Sequence, residues 1–413
     1  MSTSPLKVFK LREYHPSVFR KNEISAEIGE AIWQQYRHLI DVDFPSPKTE
    51  GQWRLTAKGW IGQIPLPPYH RIVLQPKVPL GNVFRMLEYA YRMKKAEALF
   101  PPGMVTSGSL VEFFENLVSV LAKQILERGR KGFYRAYCPD EDRLPYLRGR
   151  LDIYQKLRNP SEPRLPCQFE EHSADLAENQ LLFWTISRLA RCDISRADVL
   201  ANVRRAYRSL QGFATLTTFS PQDCVGRLYN RLNDDYEPMH ALCRFLLEHT
   251  GPTHASGDRD MVPFLINMNR LFELFVAQWL DDHLPDNFDL RTQEKIAFVG
   301  SETLCFQIDL VLFDRNLNRP VAVMDTKYKA KSSPSSDDIA QVVAYAESTG
   351  CREAVLIYPR HLPQSATFTV GKVRVRTLAF SLGDELDVAG QALISTLMHG
   401  ISNDSQSPTD SSQ

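Results

Sequence analysis

The chain has 413 residues, of which 43% are hydrophobic, and its 49 basic and 49 acidic residues give a formal net charge of +0. That length implies two or three domains with ordinary cores, and the even balance excludes a global field able to draw the protein to a polyanion, so any contact with nucleic acid must use local basic clusters or a partner's charge. The 7 cysteines are odd in number and scattered, with no Cys-x-x-Cys and no His pair at zinc spacing, which argues against both a disulfide framework and a zinc finger.

The opening stretch MSTSPLKVFKLREYH lacks an apolar signal core, and no run approaches the length of a membrane span. A reducing cytoplasm without membrane contact is the expected location. Residues 1–76 read as a β-rich module: short alternating runs such as GWIGQIPLP and RIVLQP are broken by Pro and Gly, with one helix expected near 23–40. From 77 to 260 the texture is mainly helical, carried by NVFRMLEYAYRM, SGSLVEFFENLVSVLAKQILERG, LAENQLLFWTISRLARC and EPMHALCRFLLEHT. Asn82 is a candidate cap for the first of these. RAYCPDEDRLPYLRGRLDI reads as a loop leading into a strand, and Arg148 and Arg150 within it pair most simply with Glu141, Asp142 or Asp152 in structural roles. Pro, Gly and His in GPTHASGDRD mark a linker that closes this region.

Over 261–385 the expected order is helix, strand (291–299), strand (302–313), strand (320–329), helix (337–349), strand (353–358) and a strand pair within 367–380. Ser336 can cap the second helix, Gly350 can end it, and Ile339, Val342, Val343 and Ala346 form its core stripe. A right-handed crossover through that helix sets EAVLIYP parallel to the strand before it. The result is an α/β domain, a mixed sheet flanked by helices, followed by a polar, mobile tail over 386–413.

Three polar residues stand in this domain where strands do not want them: Asp309 inside CFQIDLVLF, and Asp325 with Lys327 inside VAVMDTKYK. Side chains alternate along a strand, so Asp325 and Lys327 share a face. The turn-like DRNLNRP lets the two strands pair antiparallel, which brings two carboxylates and an ammonium to one point. A buried ion pair is the plain explanation. The sharper one is a metal site, because paired carboxylate oxygens suit Mg²⁺, with the backbone carbonyl of Thr326 as a further donor. Glu273, the only acid in LFELFVAQWL, is either an ion partner of Arg270 or Lys327 or a third acidic group at that site. Gln341 and Tyr345, four apart, share a helix face.

The order Asp309, then Asp325-Thr326-Lys327, resembles the active-site pattern of the PD-(D/E)xK nucleases, and in that superfamily the following helix often brings a Gln and a Tyr to the site, here Gln341 and Tyr345. A wider resemblance is carried by RIVLQPKVPLGNVFRMLEYAY, LRGRLDI, AENQLL, GRLYNRLNDDYEP, MNRLFELFV, QIDLVL, MDTKYK and DIAQVVAYA, in collinear order from about residue 50 to 380. Together they resemble the McrC family, the nuclease subunits of methylation-dependent McrBC restriction systems. That resemblance implies a Mg²⁺-dependent endonuclease acting on methylated DNA, docked through its N-terminal region on a hexameric McrB-like AAA+ GTPase whose hydrolysis it stimulates. The chain has no Gly-x4-Gly-Lys-Ser/Thr loop, which fits GTP being bound by the partner. Two other readings remain open: a non-catalytic activator of such a GTPase, and a free-standing repair nuclease.

Overall fold

The computed structural model describes residues 7–66, 70–91, 109–192, 194–250, 254–256, 259–261, 263–297, 305–328, 333–363 and 366–404. The chain divides into two compact units, one of residues 1–94, 105–110 and 264–413, the other of 95–104 and 111–263.

The first unit opens with β1 (Lys7–Arg12), β2 (Ser17–Phe19), α1 (Ala26–Tyr36), β3 (Ile40–Asp43), β4 (Trp53–Ala57), β5 (Trp60–Leu66), β6 (His70–Gln75) and α2 (Leu80–Ala90). Alternation decides which strand face is buried: Phe9 and Leu11 in β1 and Trp53, Leu55 and Ala57 in β4 point inward. They meet Ile32 and Tyr36 of α1 in one core. Asn82 lies inside α2 and does not cap it. Its amide instead donates to the carbonyls of Leu382 and Asp384 at 2.8 and 2.9 Å.

The second unit contains α3 (Leu110–Lys131), β7 (Ala136–Leu144), β8 (Arg150–Leu151), α4 (Ile153–Arg158), β9 (Leu165–Ser173), α5 (Ala177–Leu189), α6 (Ala197–Leu210), α7 (Tyr236–His249), and the hairpin of β10 (His254–Ser256) and β11 (Arg259–Met261). Two stretches read as irregular contain paired strands among the described residues. β7 pairs antiparallel with β9 where a loop was expected, because both its faces are largely exposed and no apolar alternation marks it. The stretch expected to be a linker at 251–260 carries the hairpin. Arg148 lays its guanidinium over the Phe169 ring, 4.0 Å from its centroid. Polar core bonds explain two motifs: Tyr236 donates to Asn179 Oδ1 at 2.6 Å, and the Asn179 amide donates to the carbonyls of Tyr134 and Ala174 at 2.9 and 2.7 Å.

The first unit resumes with β12 (Phe264–Asn267), α8 (Met268–His283), β13 (Phe288–Ala297), β14 (Cys305–Asp314), β15 (Arg319–Thr326), α9 (Ser336–Thr349), β16 (Glu353–Tyr358), β17 (Thr367–Val370), β18 (Val373–Ala379) and α10 (Leu386–Asp404). β12 extends the N-terminal sheet to the order β1-β6-β5-β12. Gly62 permits this: its φ is +131°, and a Cβ there would fall 2.1 Å from the Phe264 carbonyl oxygen.

The larger sheet runs β13-β14-β15-β16-β18-β17. β13, β14 and β15 are antiparallel in turn, β15, β16 and β18 are parallel, and β17 is antiparallel to β18, so the expected mixed sheet forms. All six residues of β16 are buried, as befits a strand covered on both faces. Val342, Tyr345 and Ala346 of α9 pack on Val323, Ala354 and Leu356. Ser335, not Ser336, caps α9, in a reciprocal box with Asp338, and Gly350 ends it at φ 71°.

The tail expected over 386–413 is corrected by α10. Leu386, Ala389, Leu393 and Leu397 recur on one face and are buried, and Gly390 lets the helix press on the Trp279 ring, where a Cβ would approach to 2.2 Å. Residues 405–413 lie outside the described residues. Among those described, no helix is long and apolar enough to cross a membrane.

Candidate active site

The candidate site sits where two strands stop pairing. The β14–β15 ladder runs from Asp314 opposite Arg319 to Leu310 opposite Met324 and ends there. One step beyond that last pair stand Asp309 and Asp325. Beyond the ladder's end no partner backbone claims the Thr326 N–H, which donates to Asp309 Oδ2 at 3.4 Å. On its other side β15 stays paired, with Lys327 N donating to the Ile357 carbonyl at 2.8 Å. Asp309 and Asp325 are thus held by interior strands of the sheet at the point where β14 and β15 part.

Lys327 gathers the remaining groups. Its ammonium lies 2.7 Å from Asp325 Oδ2, an ion pair without hydrogen-bond alignment. The same ammonium donates to Gln341 Oε1 at 3.0 Å and lies 3.9 Å from Asp338 Oδ1. Gln341 passes the arrangement on, its amide donating to the Tyr345 hydroxyl at 2.7 Å. The pair expected from i,i+4 spacing is therefore a linked relay ending on Lys327.

Burial dominates the electrostatics. Asp325 is 2% exposed, and desolvation pushes its carboxyl up to about 6 against the opposing pull of Lys327. Burial raises Asp309 as well, despite the Thr326 N–H and the charges of Lys327 and Arg270. For Lys327, burial alone would lower the ammonium, but Asp325, Asp338 and Asp309 outweigh it and hold it above its ordinary range.

Glu273 stands on α8 beside this group and not inside it. Arg270 donates to its Oε1 at 2.5 Å, the ion pair foreseen as its plain role, and Gln293 donates to the same oxygen. Burial first, then the nearby Asp309 charge, raises its carboxyl. α8 is not buried on all sides: Glu273, Leu274, Ala277 and Gln278 are half-buried. Among the described residues, no three His, Cys, Asp or Glu side chains form a ready metal cage. The donors that do suit a hard cation are Asp309, Asp325 and a backbone carbonyl, a set fitting an ion that keeps several waters.

Sequence reasoning missed Asp338 and Gln293. Asp338 is visible in sequence only as the third residue after a capping Ser, and Gln293 carries no signal, because its left-handed φ of 54° inside β13 has no spelling.

The comparisons bear on this fold and motif order. The model for "McrBC 5-methylcytosine restriction system component" matches residues 55–359. The type IV methyl-directed restriction enzyme EcoKMcrBC of Escherichia coli (strain K12) is 23% identical over 214 residues, 50% of this chain and 59% of that protein, so the chain spans a little over half the length of this curated relative. A chain in the refined half-complex from the tetradecameric assembly of Thermococcus gammatolerans McrB AAA+ hexamers with bound McrC superposes with a TM-score of 0.56 at 16% identity, covering 95% of this chain and 100% of that one. At that identity the likeness speaks for the fold. The family match spans well over half of the sequence, in agreement with the motif order, and the chain belongs to the McrBC 5-methylcytosine restriction system component family.

Proposed function

We propose that this chain is the DNA-cleaving subunit of a methylation-dependent restriction system, a Mg²⁺-dependent phosphodiester hydrolase that works assembled with an AAA+ GTPase hexamer. The observation that carries the reading is the end of the β14–β15 ladder, where two interior strands part and Asp309, Asp325 and Lys327 converge. A buried structural ion pair has no need of a second carboxylate in register with the first, nor of a Gln that receives the same ammonium.

Asp309, Asp325 and the Thr326 carbonyl are the residues that would hold Mg²⁺. When bound, the ion supplies Lewis-acid polarisation of a phosphate oxygen and a lowered pKa for an attacking water. Lys327, held charged by three carboxylates, donates to the water or to a non-bridging oxygen as negative charge develops there. Gln341 fixes the Lys327 ammonium, Tyr345 fixes Gln341, and Glu273 orients water at the Asp309 side.

The formal charge of +0 leaves capture and selection of methylated DNA to a partner. No P-loop is spelled in this sequence, so GTP hydrolysis falls to that partner too. The test is reconstitution with a candidate AAA+ GTPase on methylated and unmethylated DNA. Mg²⁺-dependent cutting that needs methylation, the partner and Asp325 supports the reading. Cutting by the Asp325→Ala protein at the wild-type rate overturns it, and GTPase stimulation without any cutting favours the activator reading.

A further inference from the structure

β13 contains one residue whose backbone departs from the extended conformation. Gln293 has φ +54°, a left-handed conformation disfavoured for any residue with a Cβ. Its neighbours keep their places, Thr292 opposite Leu310 and Glu294 opposite Ile308, so the departure is confined to one residue. That residue lies across from Asp309.

The side chain shows what the departure does. The Gln293 amide donates to Glu273 Oε1, and the Gln307 amide donates in turn to Gln293 Oε1, a chain running from β14 through β13 to α8. Glu273 Oε1 also accepts from Arg270. One carboxylate oxygen is thereby held twice, from its own helix and from the sheet. The Asp309 charge is felt at Glu273, so the two carboxylates are close enough to interact.

We infer that Gln293 is a positioning residue for the cutting reaction: its left-handed turn within β13 aims the side-chain amide at Glu273 and fixes that carboxylate beside Asp309. This rests on the nuclease reading above. An extended residue would keep the ladder whole, and local strain that persists beside a reactive site is commonly retained for what it orients. Arg270 alone cannot set the carboxylate, because it lies 49% exposed and on the same helix.

Gln293→Gly separates the side chain from the backbone, since glycine adopts the left-handed conformation freely. The full chain, assembled with its GTPase partner, is compared as wild type, Gln293→Gly, Gln293→Asn and Asp325→Ala, by melting temperature and by cleavage rate against Mg²⁺ concentration. Both Gln293 variants are expected to melt at or above the wild-type temperature. Both should cut about tenfold to a hundredfold more slowly or need correspondingly more Mg²⁺, the loss typical of a removed outer-shell partner. The shorter Asn amide tolerates the backbone but falls short of Glu273, so it should not rescue. Wild-type cutting and unchanged Mg²⁺ dependence in Gln293→Gly overturn the inference while leaving the nuclease reading intact. Loss of cutting only in step with a lowered melting temperature also overturns it, as a merely structural role. Full cutting by Asp325→Ala removes the nuclease reading itself.

Discussion

Tyr328, the residue after Lys327, donates its hydroxyl to Oε2 of Glu13 at 3.1 Å. Glu13 follows β1 and is 3% exposed, so the N-terminal part of this unit reaches the segment just after β15 through a buried bond. Lys77 adds a second grip, donating to the Tyr328 carbonyl at 3.0 Å and lying 3.8 Å from the centre of its ring. Tyr328→Phe deletes the donor and leaves the Glu13 carboxyl short of a partner, a loss of about 1–3 kcal/mol. Chemical denaturation reads it directly, and a variant as stable as the wild type would count against this role.

Asp309→Ala, Asp325→Ala and Lys327→Ala should each lower cleavage by at least about a hundredfold, the scale of removing a principal electrostatic group. Binding to the GTPase partner should survive in all three. Single-turnover cleavage and co-purification, run on the same preparations, check the pair of outcomes.

Gln341→Leu leaves the Lys327 ammonium without its 3.0 Å acceptor. A fall of roughly tenfold in cleavage is expected with Mg²⁺ dependence unchanged, because Gln341 supports the ammonium and not the carboxylates. Tyr345→Phe removes only the 2.7 Å bond behind it and should have the smaller effect. An equal or larger loss in Tyr345→Phe would contradict the order of the relay.

Stability without metal should fall as pH rises through about 6, the value to which burial lifts Asp325 from its ordinary 3.8. The folded state holds that proton more tightly than the unfolded chain, so the contribution is complete below the ordinary value and is lost as the carboxyl ionises. A shift of this size corresponds to about 3 kcal/mol at most. Denaturation between pH 4.5 and 7.5 should show a steeper decline for the wild type than for Asp325→Asn, and added Mg²⁺ should restore stability chiefly at the upper end. Parallel curves would contradict the assignment.

Gly390→Ala puts a methyl group 2.2 Å from the Trp279 ring. Overpacking of that kind costs about 1–3 kcal/mol. Deleting the segment from 386 onward should be worse, exposing Trp279 and Phe380, both now buried. A deletion variant that melts like the wild type would return α10 to the status of a dispensable tail.

The larger sheet was legible because its signals are local. EAVLIY is a continuous apolar run, and Asp309 and Asp325 are charges inside apolar strands, so their places could be read without a partner in view. α10 was not legible, since it runs into a polar sequel and its stripe of Leu and Ala packs on Trp279, far back in the sequence. β7 escaped notice because exposed strands lack alternation. Gln293, Glu13 and Lys77 act through residues distant in sequence, and no spacing rule joins 13 to 328.

β12 adds to a sheet whose other strands end at Gln75, and α10 closes the same unit at its last described residues. A nascent chain that has reached position 260 on the ribosome therefore holds an unfinished sheet, and one that has reached 380 still lacks the helix that covers Trp279. Long-range pairing of this kind is slow to form. Asp309, Asp325 and Lys327 therefore rest on a finished scaffold only after α10 has been made, more than fifty residues beyond the last of them.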